Sequence, residues 1–321
     1  MDWSLRFLGV GNASAVELGS PMSVIERDGR PWLTIDCGGE GLTAFKAHYG
    51  HMPQALFVTH VHLDHVAGFE RLFVDTFFSA QRRGKVRLYV PATVVPLLHK
   101  RVADYPNVLA EGGANFWDAF QLVPVGEAFW HDGQRLEVFP VRHHWPETAF
   151  GLRLRGSVVW TGDTRPIPEM LARHADAGEL IAHDCGLHGN PSHSGIDDLE
   201  REYPRALLAR CVLYHYASEA DGAALIDELT AGVETRVCEI PAAMHGWRID
   251  RALAAAGAKV ILGARRFNRV AALAGELGEN ALPVSLDVAD EASVSAAYDA
   301  AEAQLGPVSV SVQNAGVITM L

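Results

Sequence analysis

No stretch of this sequence approaches the roughly 20 consecutive apolar residues that a membrane-spanning helix requires, so no membrane partner is expected. Cysteine is scarce. Cys37, Cys185, Cys211 and Cys238 stand far apart without C-x-x-C spacing, which argues against a disulfide framework and a thiolate zinc knuckle and leaves them as small buried side chains. Basic residues are in the minority, 27 Lys and Arg against 39 Asp and Glu, for a formal charge of −12. Binding to a phosphate backbone normally requires a basic face, so nucleic acid is disfavoured as a partner and a small-molecule substrate is expected. The opening residues, Met1-Asp2-Trp3-Ser4-Leu5-Arg6, run straight into a strand-like segment. They lack a basic region followed by an apolar stretch and a cleavage site, from which a cytoplasmic location is expected.

What is present reads as an ordinary globular chain, with 49% hydrophobic and 21% charged residues, long enough at 321 residues for two domains. Short β-rich runs separated by Gly, Asn, Asp and Pro predict strands at Leu5–Val10, Met22–Glu26, Trp32–Ile35 and Ala55–Thr59, with a helix over Thr43–Tyr49 and another after His65. A strand at Val86–Val90 and a helix opening at Pro91 follow. Glu111–Gly126 has little clear period and is expected as a lid or flap. Strands resume at Arg135–Val141, Ala149–Leu154 and Val158–Thr161, then a helix at Pro168–His174, a strand at Glu179–His183 and a loop rich in Gly, Pro and His. Cys211–Tyr214 and the region near Val237–Ile240 are the last strands of this part, flanking a helix over Glu219–Leu229. Strands outnumber helices, which predicts two sheets covered by outer helices, a four-layer αββα sandwich of the α/β class. Near residue 245 the texture changes to alternating Ala-rich helix and short strand, the pattern of a parallel sheet. Two domains, 1–245 and 246–321, are therefore expected.

Fifteen histidines are unusual, and their placement carries the chemistry. In Thr59-His60-Val61-His62-Leu63-Asp64-His65, at the end of a strand, side chains two apart on extended backbone point the same way, so His60 and His62 converge. Asp64 and His65 follow as the chain turns and can aim at a second point nearby. Imidazole nitrogen and carboxylate oxygen suit zinc and similar divalent ions. Further candidates stand at later strand ends: His143 and His144 in Val141-Arg142-His143-His144-Trp145-Pro146, Asp163 in Trp160-Thr161-Gly162-Asp163-Thr164, and His215 in Leu213-Tyr214-His215-Tyr216. Gly162 would allow close backbone approach beside Asp163.

H-x-H-x-D-H, a later His, G-D-T and a last L-x-H resemble the metallo-β-lactamase superfamily over residues 1 to about 245, as do Leu8-Gly9-Val10-Gly11 and Ile35-Asp36-Cys37-Gly38. The resemblance implies a metallo-β-lactamase sandwich with two divalent ions. His60, His62 and His143 would hold one and Asp64, His65 and His215 the other, with Asp163 bridging them. Zinc is the first expectation, and manganese or iron also suits such a site. The spacing His143-x-x-Pro146 before Phe150-Gly151 resembles the ribonuclease Z and phosphodiesterase branch, which favours His143 over His144 as ligand. Ser192-His193-Ser194 resembles that branch's additional histidine. His193 could then protonate the leaving group with Asp184 orienting it, although the branch more often has Glu at the position of Asp184. His183 and His188 rank below His193.

Two such ions share a water and lower its pKa toward about 7, and the resulting hydroxide would be the nucleophile. Lactonases and thioesterases of the superfamily commonly show H-T-P-G-H at the third histidine, from which His143-His144-Trp145-Pro146-Glu147 departs, so the phosphodiesterase branch leads. The tRNA-processing members carry a basic arm between the third histidine and the bridging aspartate. Here only 20 residues separate His143 from Asp163, and a small phosphodiester, cyclic ones included, is the expected substrate. A promiscuous esterase, lactonase or arylsulfatase using the same site is the alternative. The resembled branch commonly dimerises, which admits a homodimer.

The remainder resembles part of a short-chain dehydrogenase/reductase through Arg251-Ala252-Leu253, Ala264-Arg265-Arg266, Leu286-Asp287-Val288 and Asn314-Ala315-Gly316. That family would use Arg265 or Arg266 and Asp287 against a nucleotide. The glycine-rich phosphate turn that should precede Arg251 is replaced by Gly246-Trp247-Arg248, and the Ser and Tyr-x-x-x-Lys elements do not occur before Leu321. The segment is therefore expected to be a truncated, partly Rossmann-like unit without catalytic activity. A bifunctional or nucleotide-binding fusion protein is opposed by the same missing turn.

Overall fold

Period-two alternation sorts the first strands into two faces. The computed structural model describes residues 3–104, 113–230, 236–237, 259–264, 267–287 and 290–305 and shows what each face meets. One sheet has six strands in sequence order: β1 (Trp3–Gly9), β2 (Met22–Arg27), β3 (Arg30–Ile35), β4 (Ala55–Phe57), β5 (Val86–Pro91) and β6 (Phe120–Val125). β1 to β3 pair antiparallel, and β3 to β6 pair parallel. Leu56, Leu88 and Val90 turn outward into a cluster with α1 (Gly39–Tyr49), the short α2 (Leu63–Val66) and α3 (Phe69–Phe77), through Leu42, Phe45, Val66 and Phe73. Each such side chain taken fully out of water contributes roughly 1.5–3 kcal/mol. A further short helix, α4 (Val95–Leu98), follows β5.

Phe57 and Tyr89 turn the other way and stack on Phe129 at 5.8 and 4.3 Å between ring centroids. Phe129 belongs to the second sheet, built from β7 (Ala128–His131), β8 (Gln134–Pro140), β9 (Phe150–Leu154), β10 (Val158–Trp160), β11 (Leu180–Asp184), β12 (Cys211–Tyr214) and β13 (Arg236–Val237). β7 to β10 pair antiparallel and β10 to β13 parallel. Phe7 of β1 meets Trp160 and Tyr214 at 5.7 and 6.0 Å, so the inner faces of the two sheets form one apolar layer. On the outer side of the second sheet, Phe139 stacks on His174 of α5 (Pro168–His174). α6 (Ile196–Glu202), α7 (Arg205–Leu208) and α8 (Glu219–Thr230) follow in this half. His183 points outward and bonds Tyr203 Oη at 2.7 Å. Helices thus flank two facing sheets, the expected αββα sandwich.

Several local expectations are corrected. Glu111–Gly126 is no lid among its described residues: Phe116 and Ala119 are buried in a 3-10 turn, and Phe120–Val125 is edge strand β6 beside β5. Pro124 hides the strand signal because proline is tolerated on a sheet edge. Pro91 closes β5 instead of opening a helix, which begins at Val95. β7 has no counterpart among the expected strands, although Asp132 and Gly133, both at positive φ (43° and 82°), supply the turn that pairs it with β8. The loop rich in Gly, Pro and His runs into α6 and α7, two short helices that weak periodicity conceals. Cys37, Cys185 and Cys211 are buried free thiols, as expected.

The chain divides into two compact units, Met1–Ala243 and Met244–Leu321. In the second, β14 (Val260–Ala264) pairs parallel with β15 (Ala281–Ser285), with α9 (Phe267–Leu277) between them and α10 (Glu291–Leu305) after. Val260, Leu262 and Ala274 form its small buried cluster. Arg251, Arg265, Arg266, Val288 and Asn314–Gly316 lie outside the described residues, as do 238–240 with Cys238. Among the described residues, no helix is long and apolar enough to cross a membrane.

Arg153 of β9 is 2% exposed and donates to Glu179 at 3.0 and 2.9 Å and to Glu137 at 3.1 Å. Arg153→Ala leaves the 1% exposed Glu179 without its buried cation and is expected to destabilise the fold by about 3 kcal/mol, read as a lower urea midpoint. An unchanged midpoint would contradict this pairing.

Candidate metal centre

The parallel strands of both sheets end at the same edge, and their following loops carry the polar residues. His60 and His62 follow β4, Asp163 follows β10, Asp184 ends β11 and His215 follows β12. Two backbone features bring these loops close. Gly162 has φ 66°, and a Cβ there would stand 3.0 Å from the Phe150 carbonyl. His215 also takes a left-handed φ of 75°, held by its N–H donating to the Val10 carbonyl at 2.6 Å. A non-glycine residue in that conformation costs on the order of 1–3 kcal/mol, a strain typical of functional sites.

Ligand-type atoms of His60, His62, His143 and His144 lie within 4.8 Å of one another, and so do those of Asp64, His65, Asp163 and His215. Asp163 Oδ2 faces both sets. It stands 3.6 Å from His60 Nε2, 3.8 Å from His143 Nε2, 3.2 Å from His65 Nε2 and 3.3 Å from His215 Nε2. His143 Nε2 is 3.1 Å from His62 Nδ1 and its ring is buried, whereas His144 is exposed with Nδ1 on Thr148 Oγ1 at 2.8 Å. His143 therefore has the inward position of the pair.

The outer nitrogens of His60, His65, His143 and His215 are engaged, which fixes which nitrogen of each faces inward. His65 Nδ1 donates to Asp36 Oδ2 at 2.8 Å. Thr59 donates to the same carboxylate through N and Oγ1 at 2.8 Å each and accepts His60 Nδ1 at 3.0 Å. His143 Nδ1 donates to the Ser192 carbonyl at 3.0 Å, and His215 Nδ1 lies 3.3 Å from Asp184 Oδ1. Sequence reasoning gave Asp36 no role in the site. Its signal was a charged residue directly after the apolar Trp32–Ile35 run, where a side chain is expected to be buried.

Burial holds His60 well below the ordinary histidine range, and His62 and His143 are lowered for the same reason. The second set is different. Burial opposes protonation of His65 and His215, yet Asp163 with Asp36 raises His65 well above its usual value, and Asp163 with Asp184 raises His215 to about 10. Burial likewise opposes ionisation of Asp163, but His215 and His65 hold it well below the carboxylate range. None of Asp36, Asp64, Asp163 and Asp184 pairs with lysine or arginine among the described residues, so histidinium is their only countercharge there. His60 Nε2 and Asp163 Oδ1 are also buried with no hydrogen-bond partner among those residues. Unpaired inward lone pairs in an anionic, nitrogen-rich cage fit divalent cations.

His193 lies beside this cage. Nδ1 donates to Asp184 Oδ2 at 2.8 Å, and the Thr164 N–H donates to the same oxygen at 2.8 Å. Its ring stacks on His215 with centroids 4.9 Å apart. Burial opposes its protonation, but Asp184 outweighs that and raises it above the usual histidine value. A cavity of about 990 Å³ opens over Asp64, Asp163, His193 and His215, with His188 on its wall. His183 belongs elsewhere, its Nδ1 donating to the Asp184 carbonyl at 2.7 Å on the outer side of the sheet.

Comparison with known proteins places this geometry in context. Residues 3–233 match the family described as "Anti-Pycsar protein Apyc1", and residues 245–321 match the short chain dehydrogenase family. The Anti-Pycsar protein Apyc1 of Saccharibacillus brassicae is 31% identical over 234 residues, spanning 68% of this chain and 91% of the relative. That of Paenibacillus harenae is 27% identical over 231 residues, with 68% and 91% covered. The metallo-β-lactamase fold protein YhfI from Bacillus subtilis superposes with TM-score 0.59 at 13% identity, over 74% of this chain and 96% of that one. A diphosphatase of the PhnP family superposes with TM-score 0.57 at 17% identity, over 74% and 94%. The fold is the metallo-β-lactamase fold.

Since the surrounding carboxylates raise both His65 and His215, a cation entering the cage is expected to compete with protons there. Zinc binding near pH 7 is expected to release protons and to tighten as pH rises, since raised pKa values keep these ligands protonated below them. Calorimetry in buffers of different ionisation enthalpy measures this, and buffer-independent heats would contradict it. Asp36→Ala, which removes the partner of His65 Nδ1, is expected to weaken divalent-ion binding by about 10–100-fold, measured by chelator competition.

Proposed function

The chain belongs, over residues 3–233, to the family of the Anti-Pycsar protein Apyc1, and from that membership and the geometry of its cage we propose a metal-dependent phosphodiesterase acting on small, cyclic phosphodiesters. The observation that carries the reading is the position of Asp163, one oxygen of which lies within 3.8 Å of imidazole nitrogens from both histidine sets. In this reading His60, His62 and His143 would hold one divalent ion and Asp64, His65 and His215 another, Asp163 would serve both, and zinc is the first choice of metal. When bound, such a pair would lower the pKa of water toward about 7 and stabilise negative charge developing on phosphoryl oxygens.

The chain's own residues supply the rest. Hydrolysis adds water across one P–O ester bond, and the departing oxygen needs a proton. His193, with Nδ1 held by Asp184, keeps a proton on Nε2 at the cavity wall and delivers it to that oxygen. The cavity, about 990 Å³, is at the upper end of the usual range for small-molecule sites, which accommodates a nucleoside-sized ligand. The short interval from His143 to Asp163 and the charge of −12 argue against a structured RNA in the same place. None of the residues assigned to this chemistry falls within 246–321.

Turnover of cyclic nucleotides, bis-aryl phosphodiesters, aryl esters, lactones and aryl sulfates by the purified chain tests the substrate class. Phosphodiester hydrolysis is expected to dominate and to fall about 10³-fold or more in Asp163→Ala. Dominant ester, lactone or sulfate turnover would move the same site to that chemistry. Efficient cleavage of precursor tRNA without activity on small diesters would overturn the proposal.

A further inference from the structure

Two residues beyond Asp163 in sequence, Arg165 sends its side chain across to the segment that carries His193. Nη1 donates to the His193 carbonyl at 3.0 Å and also to Asp198 Oδ2, while Nη2 donates to Asp198 Oδ1 at 3.2 Å. Asp198 is buried in the first turn of α6 and accepts the Gly195 N–H at 3.1 Å. Between Gly186 and Gly195 the backbone closes on itself, with Gly186 N donating to Ser194 O at 2.9 Å and Asn190 N donating to His193 O at 3.0 Å. This closed segment packs directly on the ion pair. A Cβ at Gly189 would fall 1.9 Å from Asp198 Oδ2, and one at Gly195 would fall 2.1 Å from Gly189 N. Ser194 Oγ adds a bond to the Thr164 carbonyl at 2.7 Å.

The dipeptide Thr164-Arg165 therefore touches both halves of the proton-delivering pair. Thr164 N–H holds the Asp184 carboxylate, and Arg165 holds the backbone of His193. The planar guanidinium spans a carbonyl and a carboxylate at once, which a lysine ammonium cannot do with the same geometry. We infer that Arg165 and Asp198 are positioning residues that set the place of His193 over the leaving group, without touching substrate themselves. The inference rests on the reading of His193 as the proton donor.

The test compares a cyclic nucleotide, whose leaving oxygen is a sugar alkoxide that needs a proton, with bis(p-nitrophenyl) phosphate, whose leaving group departs without one. His193→Ala is expected to lower kcat for the cyclic nucleotide about 10²-fold or more and to affect the aryl substrate far less. Arg165→Met is expected to lower kcat for the cyclic nucleotide about 10–100-fold, the usual cost of a group misplaced by about 1 Å. Its KM, its rate on the aryl substrate and its metal content stay close to those of the unaltered chain. Arg165→Lys recovers part of the loss, and His193→Ala with Arg165→Met is no slower than His193→Ala alone.

Equal slowing of both substrates by Arg165→Met, or a double variant slower than His193→Ala, overturns the positioning role while leaving His193 as donor. Should Arg165→Met fail to fold, Arg165→Lys and Asp198→Asn carry the same comparison. If His193→Ala keeps the ratio of the two rates, the reading of His193 fails and the inference falls with it. Absence of cyclic nucleotide turnover by the unaltered chain overturns both.

Discussion

The cage hangs on one buried carboxylate that never faces it. Asp36 sits just past β3 in a left-handed conformation, φ 63°, with no solvent exposure, and takes hydrogen bonds from Thr59 and from His65. Through Thr59 Oγ1 it also fixes the ring of His60. A single side chain thus sets the inward nitrogen in both histidine sets. The cost of burying it is offset by those donors and by the positive charge that His65 carries or a metal would supply. Close packing underneath makes this workable: Cys37 N donates to His65 O at 2.8 Å, and a Cβ at Gly38 would lie 2.5 Å from the Asp64 carbonyl.

From that anchor the rest of the site follows the topology. Parallel strands β3 to β6 and β10 to β13 end at one edge, so loops remote in sequence converge there as they do at the carboxyl ends of other α/β sheets. At that edge the two sheets are also joined by backbone, with Asn12 N donating to Tyr216 O at 3.2 Å and His215 N to Val10 O. Removing strain at His215 by a glycine would relax the backbone and lose the imidazole together. Geometry and chemistry are not separable at that position.

Much of this was legible in the sequence because the information is local. His60, His62, Asp64 and His65 lie within six residues, and Asp163 and His215 stand three residues and one residue past apolar runs that form strands. The preference for His143 over His144 rests on resemblance; of the two, His143 is the buried one. What was not legible depends on contacts between distant residues. Asp36 meets His65 across 29 positions, and Arg165 meets Asp198 across 33. In the fold, β6 was hidden by Pro124 on an edge and β7 by its brevity, four residues between turns. The short-chain-dehydrogenase resemblance of the last residues was equally plain from local motifs, and residues 245–321 match that family.

In the proposed function, two sets of inward lone pairs joined by Asp163 form one binuclear centre. Elemental analysis of the folded, purified chain after equilibration with zinc and removal of excess metal tests it most directly. Two equivalents per chain are expected, falling to one or fewer in Asp163→Ala while the fold persists by circular dichroism. A folded chain that retains no metal, or whose metal content is indifferent to Asp163, would rule out such a centre.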